Sequence, residues 1–170
     1  PAHVAFTSTD LKNNLAEVLS SNKFTQFHIA ESEKYAHVTA FFNCGRTEKY
    51  PGEDREIVTS PANNSSNYVD HPEMSAEKLT ESLVQKISKT ETNFFLVNFA
   101  NPDMVGHTGS LRAAVLALEF IDKCLKKDIK TLQKVIFKAC ELKAGIVMLD
   151  EKDLNLRKIL NFGHTIGHAL

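Results

Sequence analysis

Asp103 and His107 stand four residues apart in the segment NPDMVGHTG, directly after the apolar run NFFLVNFA. A carboxylate and an imidazole together suit a divalent cation of the manganese or zinc kind. The apolar run predicts a buried strand, and the loop that follows a parallel strand is the usual place for ligand chemistry. Gly106 and Gly109 would let that loop turn both side chains inward. On spacing alone, an aspartate that caps a turn beside a hydrogen-bonded histidine remains the alternative.

His164 and His168 form a second pair of the same spacing, in LRKILNFGHTIGHAL at the other end of the chain. Residues i and i+4 of a helix lie on one face, which is a common spacing for zinc ligands. The spacing therefore favours two metal ligands, with two surface or capped histidines as the alternative.

The elements that would position the first pair alternate between helix and strand, which predicts an α/β fold. Helical patterns cover residues 10–22, with Asp10 as N-cap, 32–45, and 74–88, with Ser75 as N-cap. Strands are predicted at residues 23–30, 56–60 and 92–100, and the last reads as a strand covered on both faces. A long amphipathic helix opens at Ser110. The residues predicted for its buried face are Leu111, Ala114, Val115, Leu118, Ile121 and Leu125.

The remaining residues, about 131–149 and 154–170, show helical patterns only. This change from alternating helices and strands to helices only falls inside the charged run DKCLKKDIKTL and predicts two domains, 1–127 and 128–170. The first would be α/β and the second all-helical.

Composition excludes several classes of function. With 42% hydrophobic and 24% charged residues and a net charge of −1, the chain reads as a soluble globular protein without a nucleic-acid surface. Three cysteines without a C-x-x-C spacing indicate neither a disulfide framework nor a cysteine zinc site. No apolar stretch approaches the ~20 residues of a membrane helix, and no export leader opens the chain. We therefore expect a cytoplasmic location, and the start at Pro1 suggests a piece of something longer, or processing.

Four segments of the front part, spread over residues 3–126, stand in a characteristic order: HIAESEKYAHVTAFFNCG, GEDREIVTSP, HPEMSA and NFANPDMVGHTGSLRAAVLALEFID. In order and spacing they resemble the cofactor-independent phosphoglycerate mutases. The resemblance implies an alkaline-phosphatase-like doubly wound sheet with two Mn²⁺ ions. It also implies a serine that carries the phosphoryl group between 3- and 2-phosphoglycerate in glycolysis. By that resemblance Asp103 and His107 are ligands of one Mn²⁺, and Lys34 supplies positive charge to the phosphate of the small-metabolite substrate or to the phosphoserine.

The chain departs from that family at several points. His28 and Ser32 stand where the family usually has Arg and Thr, and the loop before PEMS has ten residues where about eight are usual. The segments that would supply the second metal site, the nucleophilic serine and the distal histidine ligand are not recognisable. We therefore expect an incomplete sheet, a weak Mn²⁺ site and no mutase turnover by this chain alone.

The tail, from about Leu132 to the end, includes ACELKAGIVMLDEKDLNLRKILNFGHTIGHA and resembles the C-terminal domain of 3-dehydroquinate synthase. That family is a NAD-dependent zinc enzyme of the shikimate pathway. The resemblance implies that His164 alone binds Zn²⁺, and so revises the interpretation of His168 from spacing. It assigns the substrate to Lys143, Arg157, Asn161 and His168. Asp153 stands where Glu is usual, and neither the other zinc ligands nor a nucleotide-binding domain is recognisable.

Three hypotheses follow from these two resemblances. The chain is a fragment of a phosphoglycerate mutase, a fragment of 3-dehydroquinate synthase, or a non-catalytic chimeric remnant. The first is favoured because it covers more of the chain with more motifs. A fused or decayed gene, a misassembled reading frame and a deliberate fusion are all compatible with the junction.

Overall fold

The computed structural model describes residues 11–60, 65–126, 144–145 and 147–149. By compactness the chain divides into two units, Pro1–Lys127 and Asp128–Leu170. In the second unit the described residues are helical. The five tail residues predicted to bind substrate or zinc lie outside the described residues: Lys143, Arg157, Asn161, His164 and His168.

The front unit is built on a sheet of three parallel strands. The strands are β1 (Gln26–Glu31), β2 (Glu53–Val58) and β3 (Phe94–Asn98), in the order β2-β1-β3. All six residues of β1 are buried, because β1 is the central strand and is covered on both faces. The predicted α/β class and all three strands are confirmed.

Helices connect and cover these strands. Their bounds are α1 Leu15–Ser21, a 3-10 turn Ser32–Lys34, a π-helix His37–Phe41, α2 Ser65–Asp70, α3 Ala76–Lys89, α4 Asn101–Gly106 and α5 Leu111–Lys126. The alternation of strand and helix explains the parallel pairing, since parallel neighbours need a crossover connection.

The main core lies between the sheet and α3. Phe27 and Ile29 of β1 and Val58 of β2 pack with Leu79 of α3, which is fully buried. Each such side chain contributes roughly 1.5–3 kcal/mol when it is removed from water. The alternate residues of β1 face α1 and the π-helix: Gln26 donates to the Ala16 carbonyl at 2.8 Å, and the His28 ring packs on Phe42.

A second buried cluster joins α4 and α5. Small residues of α5, Ala113 and Ala117, pack with Ala100 and Val105 at α4, and Tyr68 and Met74 complete the cluster. Because alanine projects little from the helix, α5 approaches α4 closely.

Two predictions about burial are wrong. β3 is an edge strand among the described residues, and its five residues are only half-buried, so the strand covered on both faces is β1. On α5, four of the six residues on the predicted apolar face are exposed by 47–79%, namely Leu111, Val115, Leu118 and Leu125. Ala114 of the same face packs against the buried cluster of α4 and α5. Helical spacing identifies an apolar stripe, but it does not say whether this part of the chain supplies a surface to cover it.

Two predicted helix caps also differ. The first helix begins at Leu15, where Asn14 accepts the Glu17 amide at 3.0 Å; Asp10 lies outside the described residues. Ser75 does occupy the N-cap position of α3, but its hydroxyl makes no capping bond. It donates instead to the Thr59 carbonyl at 3.0 Å.

Candidate metal and phosphate site

The order of the strands places two of the predicted site residues together. From β1 the chain continues to β2 on one side, while β3 lies on the other side of β1. In open α/β sheets, ligands bind at the carboxyl ends of the strands where the order reverses in this way. Lys34 follows β1, and Asp103 follows β3.

Lys34, Asp103 and His107 do converge at this point. The Lys34 ammonium donates to Oδ2 of Asp103, and Nε2 of His107 lies 3.2 Å from Oδ1 of the same carboxylate. The Lys34 side chain is 13% exposed, whereas those of Asp103 and His107 are 49% and 77% exposed. The hydrogen bond from Lys34 holds the pKa of Asp103 below its usual range, so the carboxylate stays charged.

The segment that carries Asp103 and His107 is a short helix, α4, and the predicted loop is wrong. Pro102 fits the first turn, where its missing N–H costs nothing, and Asp103 follows it. The His107 amide donates to the Asp103 carbonyl at 3.0 Å, so the two residues are one turn apart on one face. Gly109, with φ of +74°, then lets the chain turn into α5.

The pair fits a divalent cation as a partial ligand set. Two ligands at a right angle, each about 2.1 Å from an octahedral ion, lie about 3 Å apart, close to the observed separation. No group of three His, Cys, Asp or Glu side chains suited to a metal occurs in the described part of the chain. Asp103 and His107 would therefore share the ion with water or with groups from elsewhere.

Behind these residues lies a buried carboxyl that the sequence did not single out. Glu31, the last residue of β1, is fully buried, and its Oε2 accepts the Ser75 amide at 2.8 Å. Burial raises the pKa of Glu31 to about 7, against the opposing effect of the Ser75 hydrogen bond. Among the described residues, no hydrogen bond of normal geometry reaches its second oxygen, Oε1, although the nearby Ser60 hydroxyl also lowers the pKa.

Two further contacts brace the site. The Tyr68 hydroxyl donates to Oε1 of Glu33 at 3.0 Å, and burial together with this carboxylate raises the pKa of Tyr68. The side-chain amide of Asn101 donates to the carbonyls of Pro72 and Glu73 at 2.8 and 2.7 Å. The sequence indicates Asn101 only weakly, as a polar residue directly after an apolar strand.

A second buried charged group, on the face of the sheet covered by the π-helix, is structural in character. His28 Nδ1 lies 3.4 Å from Glu53 Oε1, and Arg55 pairs with the same oxygen. Burial lowers the pKa of His28. Burial also opposes ionisation of Glu53, but the hydrogen bonds from Arg55 and the Tyr50 amide, together with the charge of Arg55, outweigh it and keep the pKa of Glu53 low. All three side chains are nearly inaccessible, so they do not form a ligand site.

Comparison with known proteins gives the family. A family model described as the metalloenzyme superfamily matches residues 2–137, and a model described as 3-dehydroquinate synthase C-terminal matches residues 112–170. The chain therefore belongs to the metalloenzyme superfamily. Within it, the front part is similar to 2,3-bisphosphoglycerate-independent phosphoglycerate mutases, and both resemblances inferred from the sequence are confirmed.

The relatives are much longer than this chain. The mutase of Thermomicrobium roseum is 50% identical and that of Trichodesmium erythraeum 47% identical, each over 135 residues. Both matches cover 79% of this chain and 25% of the relative, so the chain spans about a quarter of their length.

A solved structure shares the fold. The crystal structure of Leishmania mexicana phosphoglycerate mutase at low cobalt concentration superposes on this chain with a TM-score of 0.60 and 32% sequence identity. The match covers 64% of this chain and 20% of the Leishmania chain. This match confirms the predicted phosphatase-like α/β class of the front part. Among the described helices, none is long and apolar enough to cross a membrane.

Proposed function

We propose that residues 1–127 are a partial phosphatase-like domain of a manganese-dependent phosphoglycerate mutase and that residues 128–170 are a partial dehydroquinate synthase domain. The observation that carries the first assignment is the meeting of Lys34 and Asp103 across 69 residues of sequence, with His107 on the same carboxylate. The family supports a metal, and this donor set supports Mn²⁺.

In this proposal each side chain has a separate role. Asp103 and His107 bind the cation, and the partly buried ammonium of Lys34 orients a phosphate oxygen of 3- or 2-phosphoglycerate. When bound, Mn²⁺ supplies positive charge that stabilises a transferring phosphoryl group. Because two ligands are all that meet here among the described residues, we expect weak metal binding and no turnover by this chain alone. We also expect a cytoplasmic location.

The metal assignment is tested by titrating the full chain with Mn²⁺ and following water-proton relaxation. Asp103→Ala is expected to abolish binding above the non-specific background. Asp122→Ala is the matched control, because Asp122 is also an exposed carboxylate paired with a lysine four residues away, Lys126, at 2.6 Å. Equal affinity in the Asp103 variant and the parent chain would refute the assignment, and a mutase assay tests the expected lack of turnover.

A second candidate function rests on the match of residues 112–170 to the dehydroquinate synthase model. There His164 would bind Zn²⁺, and Lys143, Arg157, Asn161 and His168 would contact the substrate, in an enzyme that also uses NAD. Zinc that copurifies with the chain and is lost in His164→Ala would support this function. Equal zinc content in the two proteins would count against it, and unchanged folding and metal content in both His164→Ala and Asp103→Ala would favour a non-catalytic remnant.

A further inference from the structure

The loop of residues 71–75, between α2 and α3, contacts the carboxyl ends of all three strands. The Ser75 amide donates to Glu31, the last residue of β1, and the Ser75 hydroxyl donates to the carbonyl of Thr59, which follows β2. On the third side, Asn101 at the start of α4 donates to two loop carbonyls. One loop therefore spans the edge of the sheet at which the candidate site lies.

The groups that make these contacts are buried. Glu31 and Asn101 are fully inaccessible, and Ser75 is 4% exposed. Buried hydrogen bonds of this kind are costly to break, because each partner would be left unpaired away from water. The loop is consequently fixed to the sheet much more firmly than an exposed turn would be.

The backbone of the loop shows that its conformation is imposed by these surroundings. Met74 has φ of +47°, in the left-handed region that non-glycine residues rarely adopt, and its side chain is buried beside Tyr68. Such conformations persist where the neighbouring structure over-determines them, and they cluster at functional sites.

The two residues that bind the loop, Glu31 and Asn101, lie close to the site residues in sequence. Glu31 is three residues before Lys34, joined to it by the 3-10 turn, and Asn101 is two residues before Asp103 on α4. The direct ion pair between Lys34 and Asp103 is partly exposed, and such pairs hold geometry weakly and are screened by salt. The buried hydrogen bonds of Glu31 and Asn101 to the loop, more than the ion pair, must therefore fix the relative position of the two segments that carry Lys34 and Asp103.

We infer that the loop of residues 71–75 sets the relative position of Lys34 and Asp103, and that Glu31 and Asn101 are positioning residues for the cation site. This inference rests on the proposed metal function. Glu31 acts through Ser75 and the loop to Asn101, which places the first turn of α4 and thereby Asp103 and His107. Neither positioning residue touches the ion.

Thermodynamic reciprocity gives the inference a second consequence. If opening of the loop weakens Mn²⁺ binding by some factor, Mn²⁺ must disfavour opening of the loop by the same factor. The amide of Ser75 reports opening directly, because it exchanges with solvent only when its bond to Glu31 breaks.

The test measures Mn²⁺ affinity of the full chain by water-proton relaxation, with folding checked by circular dichroism. Asn101→Ala and Glu31→Ala are expected to lower the affinity at least fivefold. Glu31→Gln, which keeps an acceptor for the Ser75 amide, is expected to stay within twofold of the parent. Glu73→Gln is the control on the same loop, because its half-exposed side chain pairs with His71 at 3.2 Å and with no other ionised group of the described residues.

Folded Asn101→Ala and Glu31→Ala proteins with unchanged affinity would overturn the inference while leaving the metal assignment intact. Unchanged affinity in Asp103→Ala would instead overturn the metal assignment, and this inference with it. Should the alanine variants fail to fold, hydrogen exchange of the parent chain decides. Saturating Mn²⁺ is expected to slow exchange of the Ser75 amide, and an unaltered rate would refute the role of the loop.

Discussion

The Lys34 ammonium and the Asp103 carboxylate form an ion pair across the carboxyl ends of β1 and β3, although 69 residues separate them in sequence. His107 contacts the other oxygen of the same carboxylate. The carboxylate thus has a fixed positive group on one side and an imidazole on the other. That arrangement leaves Oδ1, beside the imidazole, as the oxygen that a cation would share.

Substitution of Lys34 by methionine is expected to raise the pKa of Asp103 toward its ordinary value. The reason is that Lys34 supplies the largest effect that lowers it, through the hydrogen bond to Oδ2. Carboxyl-carbon NMR across an acid titration measures this pKa. Lys126→Met, which removes the ion pair with Asp122 on α5, should leave the pKa of Asp103 unchanged. An Asp103 pKa that is equal in both variants and the parent would contradict the contact.

Glu31 predicts a pH-dependent stability. Its pKa is raised to about 7 in the folded chain from an ordinary value of 4.5, so the folded state binds the proton more tightly than the unfolded state. The stability associated with the protonated group is therefore fully present below about pH 4.5 and is lost as the pH rises through about 7.

Glu31→Gln should remove that loss, because glutamine keeps the acceptor for Ser75 without a charge. At pH 8 we expect the variant to be more stable than the parent by on the order of 3 kcal/mol, and at pH 4.5 the difference should vanish. Urea unfolding at both pH values measures it, with Glu73→Gln as the exposed control. A constant difference between parent and variant at the two pH values would exclude Glu31 as its source.

The strands could be predicted from the sequence because apolar runs bounded by turn residues are a local signal, as FFLVN in β3 shows. The role of Glu31 could not. In HIAESEK it reads as part of a polar helix start, and the amide that binds its carboxyl group belongs to Ser75, 44 residues further along the chain. The pairing of Asp103 with His107 followed from spacing, whereas the approach of Lys34 depends on the strand order β2-β1-β3.

Because part of the apolar face of α5 is exposed, we expect alanine substitution of an α5 leucine to cost far less stability than substitution of a buried leucine of α3. Leu79→Ala removes a fully buried side chain from the core between the sheet and α3 and should cost about 2–5 kcal/mol of unfolding free energy. Leu118→Ala, at a position 55% exposed, should change it by no more than about 0.5 kcal/mol. Urea unfolding of the two variants measures both values, and a large loss in Leu118→Ala would show that the apolar stripe is covered in solution.

Close packing of α5 on α4 links the fold to the site, and Ala117 tests that link. Ala117 is fully buried in the cluster that contains Val105 of α4. Ala117→Leu must force the two helices apart or strain side chains, at a cost of about 1–3 kcal/mol. Because Asp103 lies on α4 and His107 caps its C-terminal end, we expect the displaced helix to lower Mn²⁺ affinity as well. Titration with Mn²⁺, followed by water-proton relaxation, measures the affinity, and the neighbouring Leu118→Ala variant is the control. Reduced stability with unaltered Mn²⁺ affinity would mean that α4 keeps its position without close packing on α5.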